Sequence, residues 1–176
     1  MHKPDNHPAT PAPRIGVLAM QGAFAAHVIM LRSIGADAVE VRTPAELERC
    51  AAIVLPGGES TALRLLIEAS ELVEPIAGLI ESGMPVWGTC MGSIFLAEEI
   101  EGSAQGRLGV MSIKVRRNAF GPQKKSFQCP LAITGLGEPF PAVFIRAPLI
   151  TAVGDGVEVL GVLPAELNAG ASGIVM

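Results

Sequence analysis

The chain has 176 residues, of which 49% are apolar and 17% charged, and its net charge is −4. This length and composition favour one compact α/β domain with a sizeable core and exclude a largely disordered chain. The negative charge excludes a strongly basic nucleic-acid-binding or membrane-binding domain. Three cysteines without zinc or disulfide spacing predict a protein of the reducing cytoplasm. No metal and no cofactor are expected.

The N-terminal part reads as a tail followed by a strand and a helix. Residues 1–13 are proline-rich and are predicted to be disordered. The next apolar stretch imitates a signal peptide, but Gln21, Gly22 and His27 interrupt it, and no segment is long enough to span a bilayer. We therefore predict a folded domain from residue 14 to 176.

Strands and helices alternate through the first half of the predicted domain. Strands are predicted at 14–19, 37–42, 51–56 and 84–88, and helices at 22–33, from Thr43-Pro44, and at 61–70, 73–83 and 93–99. Thr43 is the predicted N-cap of its helix, with Pro44 at the first helical position. This alternation is typical of parallel βαβ units, so it predicts a doubly wound, mostly parallel sheet in a three-layer α/β/α sandwich.

The pattern changes after about residue 103. Apolar runs separated by Gly and Pro predict an antiparallel extension with strands at 108–118, 125–133, 142–148, 149–153 and 157–163. A basic cluster in this part is interpreted as a solvated strand pair, and it comprises Lys114, Arg116, Arg117, Lys124 and Lys125. The sequence ends on an apolar run that is typical of a strand, which suggests that the chain is truncated.

The stretch PVWGTCMGSIFLA, residues 85–97, places Cys90 between two glycines where a strand gives way to a helix. It fits the glycine–nucleophile–glycine elbow, in which the first glycine permits a sharp turn and the second lets the helix pack close to the strand. A thiol at a helix N-terminus is expected to favour the thiolate form. The alternative for this motif alone is a small buried core cysteine.

Two further turns are predicted at the same edge of the sheet, because they also follow parallel strands. AMQG follows the first strand and PGGES the third. The two glycines of PGGES allow backbone N–H groups to point into the crevice, as in an oxyanion hole. Alone, PGGES is more typical of a tight turn with a helix cap. Beside a cysteine elbow, the catalytic interpretation is favoured.

Five segments together carry a family resemblance: LAMQGAF, LPGGESTALRLL, VWGTCMGSIFLA, VRRNAFGPQKKSF and VFIRAP. Their order and spacing resemble the glutaminase subunit of glutamine-dependent pyridoxal 5′-phosphate synthase, a class I, triad-type glutamine amidotransferase. The resemblance covers about residue 14 to the end. It implies a flavodoxin-like amidotransferase domain that hydrolyses L-glutamine to glutamate and ammonia. The ammonia would pass to a synthase partner for pyridoxal 5′-phosphate (vitamin B6) biosynthesis.

The resemblance also implies roles for individual residues. Cys90 would be the nucleophile that forms a γ-glutamyl thioester, and the backbone N–H groups of Gly58 and Met91 would form the oxyanion hole. Gln21 would lie near the contact with the synthase subunit. The implied glutamine-binding residues are Gly58, Glu59, Ser60, Arg117, Ile145 and Arg146. Cations suit the α-carboxylate of glutamine, although without the resemblance Arg117 and Arg146 would be interpreted as exposed strand arginines.

Three departures from the family pattern stand out. Met91 replaces an alanine and is expected to crowd the elbow, and Leu149 replaces a histidine. The family's catalytic histidine and glutamate belong to an HPE segment, which this sequence does not contain; its only histidines are His2, His7 and His27. No general base is therefore assigned, His27 is interpreted as structural or partner-facing, and residues 1–176 alone are expected to show negligible turnover.

Two other functions remain open at this point. A catalytically silent partner that binds and regulates the synthase would explain the missing histidine. Another cysteine-elbow α/β hydrolase, acting on an ester or an aldehyde, would not require RNAFG and FIRAP. The retained cysteine, glycine turn and arginines favour the glutaminase.

Overall fold

A computed structural model describes residues 12–58, 69, 71–120, 126–167 and 173–175. Its elements are β1 Arg14–Leu18, α1 Phe24–Ser33, β2 Asp37–Val41, α2 Pro44–Leu47, β3 Ala52–Leu55, α3 Val73–Glu81, β4 Val86–Gly88, α4 Met91–Leu96, β5 Ala97–Ile100, β6 Met111–Arg116, β7 Phe127–Leu131, β8 Phe140–Phe144, β9 Leu149–Val153 and a 3-10 helix Ala165–Leu167. Four predictions lie wholly or largely outside the described residues, namely the tail, the helix at 61–70, the role of Lys124 and Lys125, and substrate binding by Glu59 and Ser60.

The first four strands form a parallel sheet in the order β2-β1-β3-β4. The central strands β1 and β3 read IGVL and AIVL over their buried lengths, which is typical of parallel strands covered on both faces. Val17 of β1 pairs with Val54 of β3, which in turn pairs with Trp87 of β4. The carboxyl ends of β1, β3 and β4 therefore lie side by side.

Helices cover both faces of this sheet. On one face, Val28 of α1 packs with Val17 and Val54. On the other face, Leu47 of α2, Ile76 of α3 and Phe95 of α4 join the main core with strand residues such as Leu18 and Leu55. The predicted three-layer α/β/α sandwich with a doubly wound sheet is confirmed.

Helix α2 begins as its sequence predicts. Thr43 is the N-cap and Pro44 the first helical residue. The Glu46 backbone N–H donates to Thr43 Oγ1 at 3.4 Å, and Glu46 Oε2 accepts from the Thr43 N–H at 3.1 Å and the Arg42 N–H at 2.8 Å. These backbone donors, the Arg42 N–H foremost, lower the pKa of Glu46 because they stabilise its charged form.

The second half contains antiparallel strands as predicted, but among the described residues these strands form two small sheets of their own and do not extend the parallel sheet. Strands β5, β6 and β9 form one small sheet, in which β5 and β6 are parallel and β6 and β9 are antiparallel. Strands β7 and β8 form a second small sheet and are antiparallel. The prediction of a strand at 157–163 is wrong, because this segment forms only isolated β-bridges, at Gly161 and Val162. Ile174 likewise forms only isolated β-bridges, one with Ile150 and one with Val162.

The predicted helix at 93–99 extends too far. It ends at Leu96, and residues 97–100, AEEI, form β5 instead. Ala97 and Ile100 are buried in a core cluster with Ile113 and Val115 of β6, while Glu98 and Glu99 face solvent. Glu99 forms an ion pair with Lys114 of the neighbouring β6 at 2.7 Å. Tertiary packing of Ala97 and Ile100, with an irregularity in the β5–β6 register between Ala97 and Glu99, thus overrides the helical propensity of these residues.

The basic cluster on β6 is a solvated strand pair in its described part. Lys114 pairs with Glu99, and Arg116 Nε lies 2.7 Å from Glu101 Oε2, with these side chains partly open to solvent. Arg116 and Lys114 lower the pKa of Glu101, the hydrogen bond from Arg116 having the largest effect. Such exposed pairs contribute little to stability. Because Lys114 and Arg116 already have carboxylate partners within the protein, their positive charges do not indicate a bound ligand.

Candidate active site

Cys90 occupies the turn between β4 and α4, at the carboxyl edge of the parallel sheet. Its backbone has φ 51° and ψ −104°, a conformation that residues other than glycine rarely adopt. The Gly92 N–H donates to the Thr89 carbonyl at 2.8 Å, and Ser93 Oγ donates to the Cys90 carbonyl at 2.6 Å. These bonds close a sharp strand-to-helix turn with Cys90 at its exposed apex.

The two glycines of the elbow are required by space. A Cβ on Gly88 would lie 2.6 Å from the Gly92 carbonyl carbon. A Cβ on Gly92 would overlap the Leu55 carbonyl oxygen at the end of β3. Helix α4 can therefore start directly against the neighbouring strand only because both positions lack a side chain.

The turn after β3 lies beside the Cys90 side chain. A Cβ on Gly57 would stand 3.2 Å from Cys90 Cβ and 3.9 Å from its sulfur. Gly58 packs against the carboxamide of Gln21, which belongs to the turn after β1. The three turns predicted at one edge thus meet around Cys90. Glu59 and Ser60, predicted to bind substrate, lie outside the described residues.

Although Cys90 is exposed as a residue, partial burial of its thiol raises the pKa of that thiol above its ordinary value. A hydrogen bond from the Met91 backbone N–H acts in the opposite direction but has a smaller effect. The sequence predicts that the N-terminus of α4 favours the thiolate. The Met91 N–H does stabilise the thiolate, but this effect is smaller than that of burial. The free site therefore holds a predominantly neutral thiol at neutral pH.

This raised pKa has a measurable consequence for thiol chemistry. Only the thiolate is alkylated, so the rate of Cys90 alkylation by iodoacetamide should still be rising at a pH where a small free thiol has reached its plateau. Mass spectrometry of the Cys90 peptide between pH 6 and about 11 measures this rate, with the uncharged N-acetylcysteine amide as the reference. A midpoint below that of the reference would contradict the expectation. The buried Cys50 and Cys129 are read separately in the same digest.

The two residues that depart from the family pattern are both core residues. The Met91 side chain is buried in the main core with residues such as Leu55 and Phe95. Its extra bulk is therefore accommodated in the core, whereas the sequence predicted crowding at the elbow. Leu149 is fully buried in a second cluster with Phe144 and Leu163.

The other predicted glutamine-binding residues lie in the second half of the chain. Arg117 directly follows β6, and its Nη1 donates to Gln105 Oε1 at 2.7 Å. Ile145 and Arg146 directly follow β8, where Ile145 is exposed and Arg146 has φ 48°. Their contact with a substrate remains a prediction.

Sequence reasoning missed a connection to the elbow. Thr89 Oγ1 lies 3.2 Å from His27 Nε2 and accepts from the Gly57 N–H at 3.1 Å. His27 had been interpreted as structural or partner-facing, and Thr89 only as a residue of the elbow. His27 lies in the first turn of α1, which follows the turn after β1, and Thr89 lies in the turn after β4. The sequence predicts that these two turns share one edge of the sheet, and this was the signal from which the contact could have been inferred.

A parallel α/β sandwich in which a cysteine elbow lies beside a Gly-Gly turn is the architecture of the class I glutamine amidotransferase fold. The model of the SNO glutamine amidotransferase family matches residues 17–175. The chain belongs to this family, as the motifs indicated.

Several known proteins are similar over most of the chain. The pyridoxal 5′-phosphate synthase subunit PdxT of Dehalococcoides mccartyi is 52% identical over 154 residues, which are 86% of this chain and 79% of the relative. The protein of the same name from Pelotomaculum thermopropionicum is 55% identical over 148 residues, 84% and 76% of the two chains. A crystal structure of a glutamine amidotransferase superposes with a TM-score of 0.79 at 44% identity, over 85% and 79% of the two chains.

The described residues contain no cluster of His, Cys, Asp or Glu that could hold a metal ion. None of the helices in this part of the chain is long and apolar enough to cross a membrane.

Proposed function

We propose that this chain is the glutaminase subunit of a pyridoxal 5′-phosphate synthase, with residues 14–176 contributing a single amidotransferase domain. It hydrolyses L-glutamine to glutamate and ammonia, and the ammonia passes to a synthase subunit. Membership of the SNO family and the identity to PdxT relatives support this proposal. The observation that carries it is the position of Cys90, strained at the apex of the elbow and beside the Gly57-Gly58 turn.

Cys90 performs the bond-making step. Its sulfur attacks the carboxamide carbon of glutamine, and the oxygen of the tetrahedral adduct becomes negatively charged. The C–N bond then breaks, ammonia leaves with an added proton, and a γ-glutamyl thioester remains. Water attacks this thioester, which releases glutamate and restores the thiol. The net reaction consumes one glutamine and one water.

Backbone donors stabilise the charge that develops on oxygen. The Met91 N–H already reaches the Cys90 sulfur in the free site, and Gly58 belongs to the turn that faces it. We assign the oxyanion hole to the N–H groups of Gly58 and Met91. Neutral donors fixed by the fold are effective because they need no reorganisation as the charge appears.

The reaction also requires a group that removes the thiol proton, since burial keeps the thiol largely neutral. Of the three histidines in the sequence, only His27 is within the described residues. Its Nε2 faces Thr89 Oγ1 at 3.2 Å. We therefore assign it no role as the general base.

A glutamine-like chloroketone tests the proposal without requiring turnover. Its ketone takes the place of the carboxamide, and its reactive carbon alkylates the nucleophile. We expect a single adduct on Cys90, formed in the presence of the synthase subunit and suppressed by L-glutamine but not by L-asparagine. Peptide mapping by mass spectrometry identifies the site, and Cys90→Ser should lower the labelling rate by about a thousandfold or more.

The same experiment separates the alternatives. No adduct with or without the synthase subunit would contradict the proposal and indicate a catalytically silent regulatory partner. An adduct that L-glutamine does not suppress would indicate another cysteine-elbow hydrolase. Binding of the synthase subunit is read independently by sedimentation, so loss of labelling and loss of partner binding are distinguished.

A further inference from the structure

We propose that His27 and Thr89 are positioning residues that hold the Gly57-Gly58 turn against the Cys90 elbow. The proposal rests on the proposed function, in which this turn supplies an oxyanion donor. Neither side chain is assigned a contact with the reacting atoms. Both act through the orientation of the Gly57 backbone.

A closed ring of four hydrogen bonds links the three turns at this edge. The Gly57 N–H donates to Thr89 Oγ1 at 3.1 Å, and Thr89 Oγ1 lies 3.2 Å from His27 Nε2. His27 Nδ1 lies 2.9 Å from the Ala23 carbonyl oxygen, and the Ala23 N–H returns to the Gly57 carbonyl at 3.1 Å. Gly57 is thus held at both its N–H and its C=O.

The protons of this ring follow from the chemistry of its members. A backbone carbonyl only accepts, so the proton between His27 and Ala23 belongs to Nδ1. In the neutral imidazole, Nε2 is then the acceptor, and it receives the Thr89 hydroxyl proton. The Gly57 N–H only donates, and it uses a lone pair of the same hydroxyl. Donation therefore runs in one direction around the ring. Thr89 Oγ1 contacts both the Gly57 N–H and His27 Nε2, and the Ala23 carbonyl also accepts from the His27 backbone N–H at 3.3 Å.

Two features connect this ring to the chemistry. Thr89 directly precedes the strained Cys90, and Gly57 lies directly beside the Cys90 side chain. Because a peptide unit is planar and trans, the Gly58 N–H points opposite to the Gly57 carbonyl, and fixing one fixes the other. His27 is also in edge contact with Trp87, at 6.0 Å between ring centroids, which restrains the imidazole.

The Thr89→Val variant removes the hydroxyl and preserves the shape of the side chain. The labelling rate constant at saturating chloroketone should fall about tenfold or more, which is somewhat less than the loss of a whole oxyanion donor. The chloroketone concentration that gives half-saturation should change little, because Thr89 is not assigned a contact with the reagent. Alkylation by iodoacetamide needs no oxyanion hole, and its rate should stay within about twofold.

Control variants guard against a general loss of structure. Thr89→Ser keeps the hydroxyl and should restore most of the rate. Thr134→Val makes the same change at an exposed position outside the site and should leave the rate unchanged. His27→Leu should reproduce the selective loss, and it replaces Thr89→Val if that variant does not fold.

The imidazole itself gives a readout that is independent of labelling. The ¹⁵N NMR spectrum of His27 should show a protonated Nδ1 and an unprotonated Nε2 that accepts a hydrogen bond, and Thr89→Val should shift the Nε2 resonance alone. A proton on Nε2 of the neutral ring, or chloroketone labelling that Thr89→Val leaves unchanged, would overturn the positioning proposal. Absence of any labelling in the wild-type chain would instead overturn the proposed function, and this proposal with it.

Discussion

Replacing Gly92 by alanine should lower the free energy of unfolding by about 3 kcal/mol or more, at the upper end of the cost of overpacking a core. The added methyl group would overlap the Leu55 carbonyl oxygen and approach the Leu55 carbonyl carbon at 2.7 Å. Both atoms belong to the backbone of β3, in the middle of the parallel sheet, so neither can move aside without disturbing its neighbours. Helix α4 would be displaced, and Cys90 with it.

Gly78→Ala is the matched control for this change. Gly78 also lies in a helix, α3, but a Cβ there has no neighbouring atom within 4 Å. Alanine should therefore raise stability by about 0.5–1 kcal/mol through its higher helix propensity. Urea unfolding followed by circular dichroism measures both variants. If Gly92→Ala were as stable as Gly78→Ala, the close packing of α4 on β3 would be refuted.

Replacing Gly22 by alanine should affect stability and the site together. Gly22 has φ 85°, and a Cβ on it would overlap the Gly57 carbonyl oxygen. The left-handed conformation costs about 1–2 kcal/mol for alanine, and displacing the carbonyl costs about 1–3 kcal/mol more. Moving this carbonyl also breaks its bond from the Ala23 N–H, 3.1 Å long. Labelling of Cys90 by the chloroketone should fall about tenfold or more.

Gly35→Ala separates the two causes. Gly35 has nearly the same backbone conformation, with φ 87°, but no atom lies within 4 Å of its Cβ position. It should lose only the conformational part of the stability, about 1–2 kcal/mol, and label at the wild-type rate. Urea unfolding and chloroketone kinetics of the two variants give the comparison. Equal labelling by both would mean that the turn after β1 does not support the turn after β3.

Three turns at the carboxyl edge of the parallel sheet form the candidate site. The cysteine elbow, the Gly57-Gly58 turn and the turn after β1 are held together by close backbone approach and by hydrogen bonds of the backbone and of two side chains. Among the described residues, the supports named here are backbone contacts and hydrogen bonds, and none of these supports is an ion pair. Because each support acts through the backbone, its loss should change reactivity toward a glutamine-like reagent more than general reactivity of the thiol.

Local sequence signals predicted the first half of the fold well. Thr43, Pro44 and Glu46 lie within one helical turn of each other. The capping box of Thr43 and Glu46 therefore does not depend on how α2 packs against the rest of the protein. Apolar runs flanked by glycines similarly predicted the four parallel strands. The same reasoning failed at AEEI, because two glutamates in a row favour a helix until β6 offers partners such as Lys114.

The sequence by itself determined the alternation of strands and helices, the cysteine elbow and the family of this protein, because each of these depends on short motifs and on their order along the chain. Only the tertiary structure decided that Thr89 joins Gly57 and His27, which lie 32 and 62 positions away along the chain. It also decided that burial outweighs the Met91 N–H at the Cys90 sulfur. Both results depend on which distant segments surround an atom, and that arrangement exists only once the sheet has brought its carboxyl ends together.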